Sequence, residues 1–453
     1  MPSAPQARAV AAALAAGLVL ACGGCSAPHG RPASGRPQSG LPRSGLARSG
    51  RPPAGGAIAD AGRGTAAAGA GVPGGLLTPA QIRTAYDVWP LYARGVDGRG
   101  QTIVIVDPFG SPLAGQDLRH FDASFGLPAP PSFRVLTPAG PVPPGTGGEQ
   151  RESGAVEATL DVEWSHVIAP AARIVLVETP AAEIEGATGF AQIVTAETYV
   201  LRHHLGGVIS MSLGATEETF ASKSQLLSFR SAFRLAARPG YRVTMLASTG
   251  DEGATGFTYG TRSLYRRDVV GWPASDPLVT AVGGTRLFLT SSGGRQRRDI
   301  GWTGSGGGLS SVFARPGYQD GVGTGGMRAI PDISMNAACQ SAIAEYLGGP
   351  DGRWGPECGT SLSSPLFAGI VALADQVAGH PLGLINPALY KMAAAHDRGI
   401  VDVVSGSNGG PFTAGGHSVT VPGFRAGPGY DLVTGLGTVD ARYFVPELAR
   451  AAG

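Results

Sequence analysis

The sequence predicts an α/β protein built on a doubly wound parallel sheet with helices on both faces. Short apolar runs, the helical stretches between them and a length sufficient for a large core carry that prediction. Thr102-Ile103-Val104-Ile105-Val106, Ile174-Val175-Leu176-Val177, Val208-Ile209-Ser210-Met211 and Val243-Thr244-Met245-Leu246-Ala247 are almost continuously apolar. Strands covered on both faces read this way, whereas a strand with one wet face alternates. Amphipathic stretches at Ala155–Ile168, Phe190–His203 and Ser224–Ala237 separate them. Strand and helix in alternation imply parallel pairing. The chain's 453 residues allow one large domain or two ordinary ones. In such folds ligands and chemistry gather at the carboxyl ends of the strands.

The first element in order is a leader over residues 1–22. Arg8 precedes the apolar run Ala9 to Ala21, which has signal-peptide length and is too short to span a bilayer. Val19-Leu20-Ala21-Cys22 has the form of a bacterial lipoprotein signal, with Cys25 a weaker second candidate for acylation. The expectation is export, either to free secretion or to a cell-surface tether through an acylated Cys22. No later apolar stretch reads as a transmembrane helix. Residues 23–76 read as a disordered Gly/Pro/Arg/Ser-rich linker in which Ser-Gly recurs every five residues, at Ser34, Ser39, Ser44 and Ser49. Too few apolar residues are present there to offset the entropy of ordering. The globular part is placed at 77–453.

The charge balance is near neutral, with 35 Lys and Arg against 33 Asp and Glu for a formal net charge of +2. That gives no reason to expect a nucleic-acid partner, and a monomer is expected. Of the four Cys, Cys22 and Cys25 belong to the leader, leaving Cys339 and Cys358 in the body. In an exported protein these two are free to oxidise, and a bridge would close a loop just before residue 361. Two buried free thiols are the alternative.

Three segments carry chemistry. Gly359-Thr360-Ser361-Leu362-Ser363-Ser364-Pro365 runs into the apolar stretch Leu366 to Leu373. Small residues and a Pro there signal a helix start, where free N–H groups favour developing negative charge. Ser361 is therefore either a helix cap or a nucleophile. The second segment is Glu157-Ala158-Thr159-Leu160-Asp161, on a helix whose apolar stripe is Val156, Leu160, Trp164 and Val167. Residues four apart share a helix face, so Glu157 and Asp161 project together. In a desolvated cleft such a pair shares a proton and can take one from a hydroxyl. The third is Ser248-Thr249-Gly250-Asp251-Glu252-Gly253, directly after a strand. A protonated Asp251 there would donate to an oxyanion.

Together these segments resemble the sedolisins, the serine-carboxyl peptidases, and the kumamolisin type in particular. The likeness runs on through Leu77-Thr78-Pro79-Ala80-Gln81, Glu163-Trp164-Ser165-His166, Trp272-Pro273-Ala274-Ser275-Asp276, Val282-Gly283-Gly284-Thr285, Ser305-Gly306-Gly307-Gly308 and Pro331-Asp332-Ile333. It implies a subtilisin-like fold and a serine endopeptidase acting on proteins or peptides, active on the acid side. By position it implies Ser361 as nucleophile, Glu157 as general base, Asp161 as its partner and Asp251 as oxyanion carboxyl. It implies Ser212 and Gly214 in the segment that binds substrate as an added strand. It also implies one calcium ion held by Asp402, Val403, Gly427, Gly429 and Asp431, carboxylates and loop carbonyls suited to a hard cation. Two positions depart from the kumamolisin pattern. Asp107 stands where a Glu is usual and Leu213 where a Trp is usual, so the outer catalytic network is expected to be shortened or absent. The family's long folded propeptide has no counterpart in the expected layout.

Two other readings are open. A subtilisin-type peptidase would need a His flanked by Gly at a helix start, and none of the eight His has that context. A catalytically inactive exported binding lipoprotein on a peptidase scaffold would have no chemical need for Glu157, Asp161, Asp251 and Ser361 together.

Overall fold

A computed structural model describes residues 71–453 apart from 144–147, 184–186, 188, 260–262 and 324. The leader and the linker up to residue 70 lie outside the described residues. Seven parallel strands form the central sheet: β1 (Thr102–Pro108), β2 (Phe133–Leu136), β3 (Arg173–Thr179), β4 (Val208–Met211), β5 (Thr244–Ser248), β6 (Thr280–Arg286) and β7 (Ile333–Asn336). Their order across the sheet is β7-β6-β5-β4-β1-β3-β2, with the short antiparallel pair Ile300–Gly301 added beside β6. The four strands expected from the apolar runs are present. The other three, β2, β6 and β7, are not marked by such runs. β2 is an edge strand with half-buried and exposed positions, and β6 carries two Gly that weaken its strand signal.

Alternate residues of the inner strands go to opposite cores. Ile103, Ile105, Ile174, Leu176 and Val208 join one apolar cluster, and Val104, Val106, Val175, Val177 and Ile209 join the other. A strand that must satisfy two cores has no polar position to spare, which is why these runs are continuous.

The helices named below are α1 (Pro79–Ala85), α2 (Ala114–Phe125), α3 (Glu149–Ile168), α4 (Phe190–Arg202), α5 (Lys223–Ser228), α6 (Ser231–Ala236), α7 (Thr360–Ala378) and α8 (Ala441–Ala452). α1 opens on a capping box in which the Thr78 hydroxyl accepts from the Gln81 N–H and the Gln81 side chain accepts from the Thr78 N–H. The stretch Ser224–Ala237 is two helices rather than one. The break at Phe229–Arg230 coincides with Arg230 reaching the buried Asp276 as a two-pronged ion pair. α2, α3, α7 and α8 cover one face of the sheet, and α4 with α6 covers the other. α7 is long and apolar enough to cross a membrane, but most of it is buried among α3, α8 and the sheet, as the central helix of the core.

Candidate active site

The nucleophile candidate sits one residue inside α7. The helix begins at Thr360, not beside Pro365 as the position of the Pro suggested, and its N-cap is Gly359, with φ 117° and no side-chain cap. Ser361 is therefore not the cap, and its hydroxyl is free for other work. Pro365 lies inside the helix and has no N–H to give the carbonyl of Ser361. The Ser212 Oγ, arriving from the end of β4, lies 3.3 Å from that carbonyl, the longest of three acceptors that share its single hydroxyl proton, the other two being the Asp161 oxygens.

Asp251 follows β5 and abuts the same helix start. Its Oδ1 accepts from the backbone N–H of Thr360 at 2.7 Å and from the Thr360 hydroxyl at 3.0 Å. A Cβ at position 359 would stand 2.6 Å from Asp251 Oδ2. Glycine is thus required there both by the left-handed φ and by the approach of the carboxyl. The loop is braced from behind, where Gly306 N–H donates to the Gly250 carbonyl at 2.9 Å. A Cβ on Gly306 would collide with the Thr249 carbonyl at 2.0 Å. Burial pushes the Asp251 carboxyl up, and the two Thr360 donors only partly offset it.

Glu157 and Asp161 project from one face of α3 into this corner. Asp161 is fully buried, and both its oxygens accept from the Ser212 hydroxyl, at 3.0 and 2.8 Å. Glu157 is half-buried, its Oε1 has no partner, and hydrogen bonding from the Ser361 hydroxyl favours its ionised form. The Ser361 hydroxyl thus lies near enough to favour the ionised carboxylate, without a hydrogen bond of full geometry between the two. Both carboxyls are held well above the usual range, first by burial, next by the charge of Asp107, and for Asp161 also by Glu157.

Asp107, at the carboxyl end of β1, is fully buried with neither oxygen hydrogen-bonded. The extension expected to be shortened or absent is here a side chain one methylene shorter than Glu, whose like charge is, after burial, the next cause raising both α3 carboxyls. Burial first, then the charges of Glu183 and Glu178, raises Asp107 too. Leu213 is buried in the sheet's second apolar cluster and contributes no polar group.

Ser212 opens the segment expected to bind substrate through its backbone. Its hydroxyl is spent on Asp161 and on the Ser361 carbonyl, so what this segment offers a ligand is backbone. At Gly214 that backbone is exposed. Thr360 is a site residue that sequence reasoning missed, as are Glu345 and Glu357, carried by the hairpin of Ile343–Leu347 and Arg353–Glu357. The charge of Glu357 acts on Glu157, and that of Glu345 on Asp161. No spacing in the chain marks them, because the hairpin reaches the site only through tertiary packing on α2 and α3. His166 is fully buried on α3, bonded through Nε2 to the Pro128 carbonyl at 2.8 Å and beside Asp122, not in the catalytic corner.

The two loops expected to hold calcium do converge. Gly429 N–H donates to Asp402 Oδ2 at 2.9 Å, and Gly427 N–H to Asp431 Oδ2 at 3.1 Å. Asp402 Oδ1 is buried without a partner, the kind of oxygen a hard cation satisfies. Asp431 Oδ1 is already met by the N–H groups of Val433 and Thr434. Among the described residues no group of three or more His, Cys, Asp and Glu is placed to hold a metal, so carbonyls would supply most of the shell.

No family model matches the chain. Kumamolisin of Bacillus sp. (strain MN-32) is 32% identical over 375 residues, 80% of this chain and 61% of that protein. Sedolisin of Pseudomonas sp. (strain 101) is 28% identical over 376 residues, 80% and 59% respectively. Human tripeptidyl-peptidase 1 is 31% identical over 313 residues, 64% and 51%. The chain thus spans between half and about three fifths of the length of these curated relatives. Among solved structures, Pseudomonas sedolisin, a serine-carboxyl proteinase complexed with two molecules of pseudo-iodotyrostatin, superposes with a TM-score of 0.66 at 28% identity. That match covers 83% of this chain and 97% of that one. The parallel sheet, the carboxylate corner and these comparisons agree: the chain is similar in sequence to kumamolisin and sedolisin, serine-carboxyl peptidases, and in fold to Pseudomonas sedolisin.

Proposed function

We propose that this protein is an exported serine-carboxyl endopeptidase that hydrolyses peptide bonds of proteins or peptides at acidic pH. The observation that carries the reading is the convergence of three carboxyls, Glu157, Asp161 and Asp251, on the first turn of the helix bearing Ser361. The substrate strand lies along the exposed backbone at Gly214. Ionised Glu157 takes the Ser361 hydroxyl proton as Oγ attacks the scissile carbonyl, and Asp161 shares that proton load. Protonated Asp251, beside the N-terminus of α7, donates to the oxyanion. Collapse of the tetrahedral intermediate expels the amine, which takes the proton from Glu157, and leaves an acyl group on Ser361. Water activated by the same carboxylate then releases the acid. Carboxyls suit this role at a pH where imidazole is already protonated.

Calcium belongs to the reading as a structural ion. Asp402 and Asp431 with the carbonyls of Val403, Gly427 and Gly429 would hold it, and bound there it would cross-link the two loops. Secretion, with or without a tether through acylated Cys22, and action as a monomer complete the proposal.

The test is cleavage of a denatured protein across acid pH by the wild type and by Ser361→Ala, with calcium present. Cleavage by the wild type and at least a ~10³-fold loss in the variant are expected. A wild type that cleaves nothing overturns the peptidase reading, and an active Ser361→Ala overturns the assignment of the nucleophile.

A further inference from the structure

Cys339 and Cys358 are disulfide-bonded, 19 residues apart. Cys358 and Gly359 are the two residues between the strand Arg353–Glu357 and the first turn of α7, and Cys339 lies three residues beyond β7. The bridge is one of three ties between the end of β7 and the start of α7. Gly359 N–H donates to the Ala337 carbonyl at 2.7 Å, and the Ser363 hydroxyl donates to the carbonyls of Met335 and Asn336 at 3.1 and 3.0 Å. Asp251 abuts the same segment, so close that position 359 has no room for a Cβ. The segment 358–360 is therefore tied both to the β7 end and to the Asp251 carboxyl. Neither Cys is fully buried.

We propose that Cys339 and Cys358 are positioning residues of the active site: their bridge holds Gly359 and Thr360 against Asp251 and so sets Ser361 relative to the oxyanion carboxyl. This rests on the peptidase reading above. A staple that served only stability would act through the unfolded chain and leave turnover by the folded enzyme unchanged. A positioning bridge acts on turnover itself, because small displacements of reacting groups are costly to rate.

The experiment compares kcat, KM and the pH profile of the full chain in three states, at a temperature where each is folded by circular dichroism. These are the wild type, the Cys339→Ser/Cys358→Ser double variant, and the wild type reduced by dithiothreitol. In the last, the protein S–S bond becomes two thiols while the reductant closes to its own cyclic disulfide. The expected result is a fall in kcat of about 10- to 100-fold with KM little changed. The alkaline limb of the profile is expected to move to higher pH, because Asp251 loses Thr360 donors that favour its ionised form. Dithiothreitol is expected to reproduce this in the wild type and to leave the double variant unaffected. A folded double variant with wild-type kcat and pH profile overturns the inference. If the double variant does not fold, unchanged kcat in the reduced, folded wild type overturns it equally. A wild type with no activity instead sinks the peptidase reading, and this inference with it.

Discussion

Asp251 shows how much one residue's surroundings decide. An Asp in a Gly-bounded turn is ordinarily a turn former, but here it is desolvated, pushed up in pKa and bonded to the first N–H of a helix. In the proposed role of oxyanion donor it must be protonated, so the alkaline limb of the pH profile is expected to report its loss of a proton. Asp251→Asn keeps a donor at every pH. It is expected to lower kcat by about tenfold while abolishing that limb, and Asp251→Ala to cost about 10²- to 10³-fold. Steady-state kinetics from acid to neutral pH check both, and an alkaline limb surviving in Asp251→Asn would assign it to another group. Thr360 could not be picked out from the sequence, because its role exists only once β5 and α7 are side by side.

At the scale of elements, α3 carries the pair proposed as the base, Glu157 and Asp161, and the end of β4 supplies the hydroxyl that anchors Asp161. Helical spacing made the shared face of Glu157 and Asp161 legible. It did not show that α3 is buried on nearly every side from Ala158 onward, which is what pushes both carboxyls up. The anchor is the Ser212 hydroxyl, whose bonds favour the ionised form of Asp161. Ser212→Ala removes them, so the Asp161 carboxyl rises further and the base system holds its proton to higher pH. The acid limb of kcat/KM is expected to move up, with about a tenfold loss at the most acid pH tested. A pH series on folded Ser212→Ala decides this, since a merely local packing defect would lower the profile without moving the limb. Pro365 belongs here too. From the sequence it marked a helix start, whereas in the fold its missing N–H opens the Ser361 carbonyl to Ser212.

At the scale of the whole molecule, a cluster of buried acids around Glu163 and Glu345 stands out among the described residues. Glu163 and Glu345 are nearly or fully inaccessible, each keeps an oxygen without a partner, and burial then like charges hold both well above the usual range. Those charges come from Glu345, Asp117 and Asp122 for Glu163, and from Glu357, Glu157 and Asp117 for Glu345. A raised folded-state pKa on an acid means the folded protein binds the extra proton. The stabilisation is complete below the unfolded carboxyl pKa and is lost as pH rises toward the folded value, at about 1.4 kcal/mol per unit of difference. Melting temperature is expected to fall from weakly acid to neutral pH, and Glu345→Gln, which mimics the protonated form, to flatten that fall. Equal slopes for the variant and the wild type would refute the assignment to this cluster. Chelation is expected to lower the melting temperature of calcium-loaded protein, because a ligand bound to the native state alone stabilises it. An unchanged melting curve after chelation would remove calcium from the proposal.

The sequence by itself determined the parallel sheet, since continuous β-branched runs satisfy two cores at once. It also determined the identity of the four catalytic candidates, since their motifs are local. Only the tertiary structure decided what surrounds them: Asp107 and Thr360 beside the carboxyls, the commitment of the Ser212 hydroxyl, and the Cys339–Cys358 tie at the nucleophile's helix. The physical reason is range. Periodicity and turn chemistry act over a few residues of chain, whereas desolvation, charge coupling and close backbone approach depend on segments that meet only when the sheet has closed around its helices.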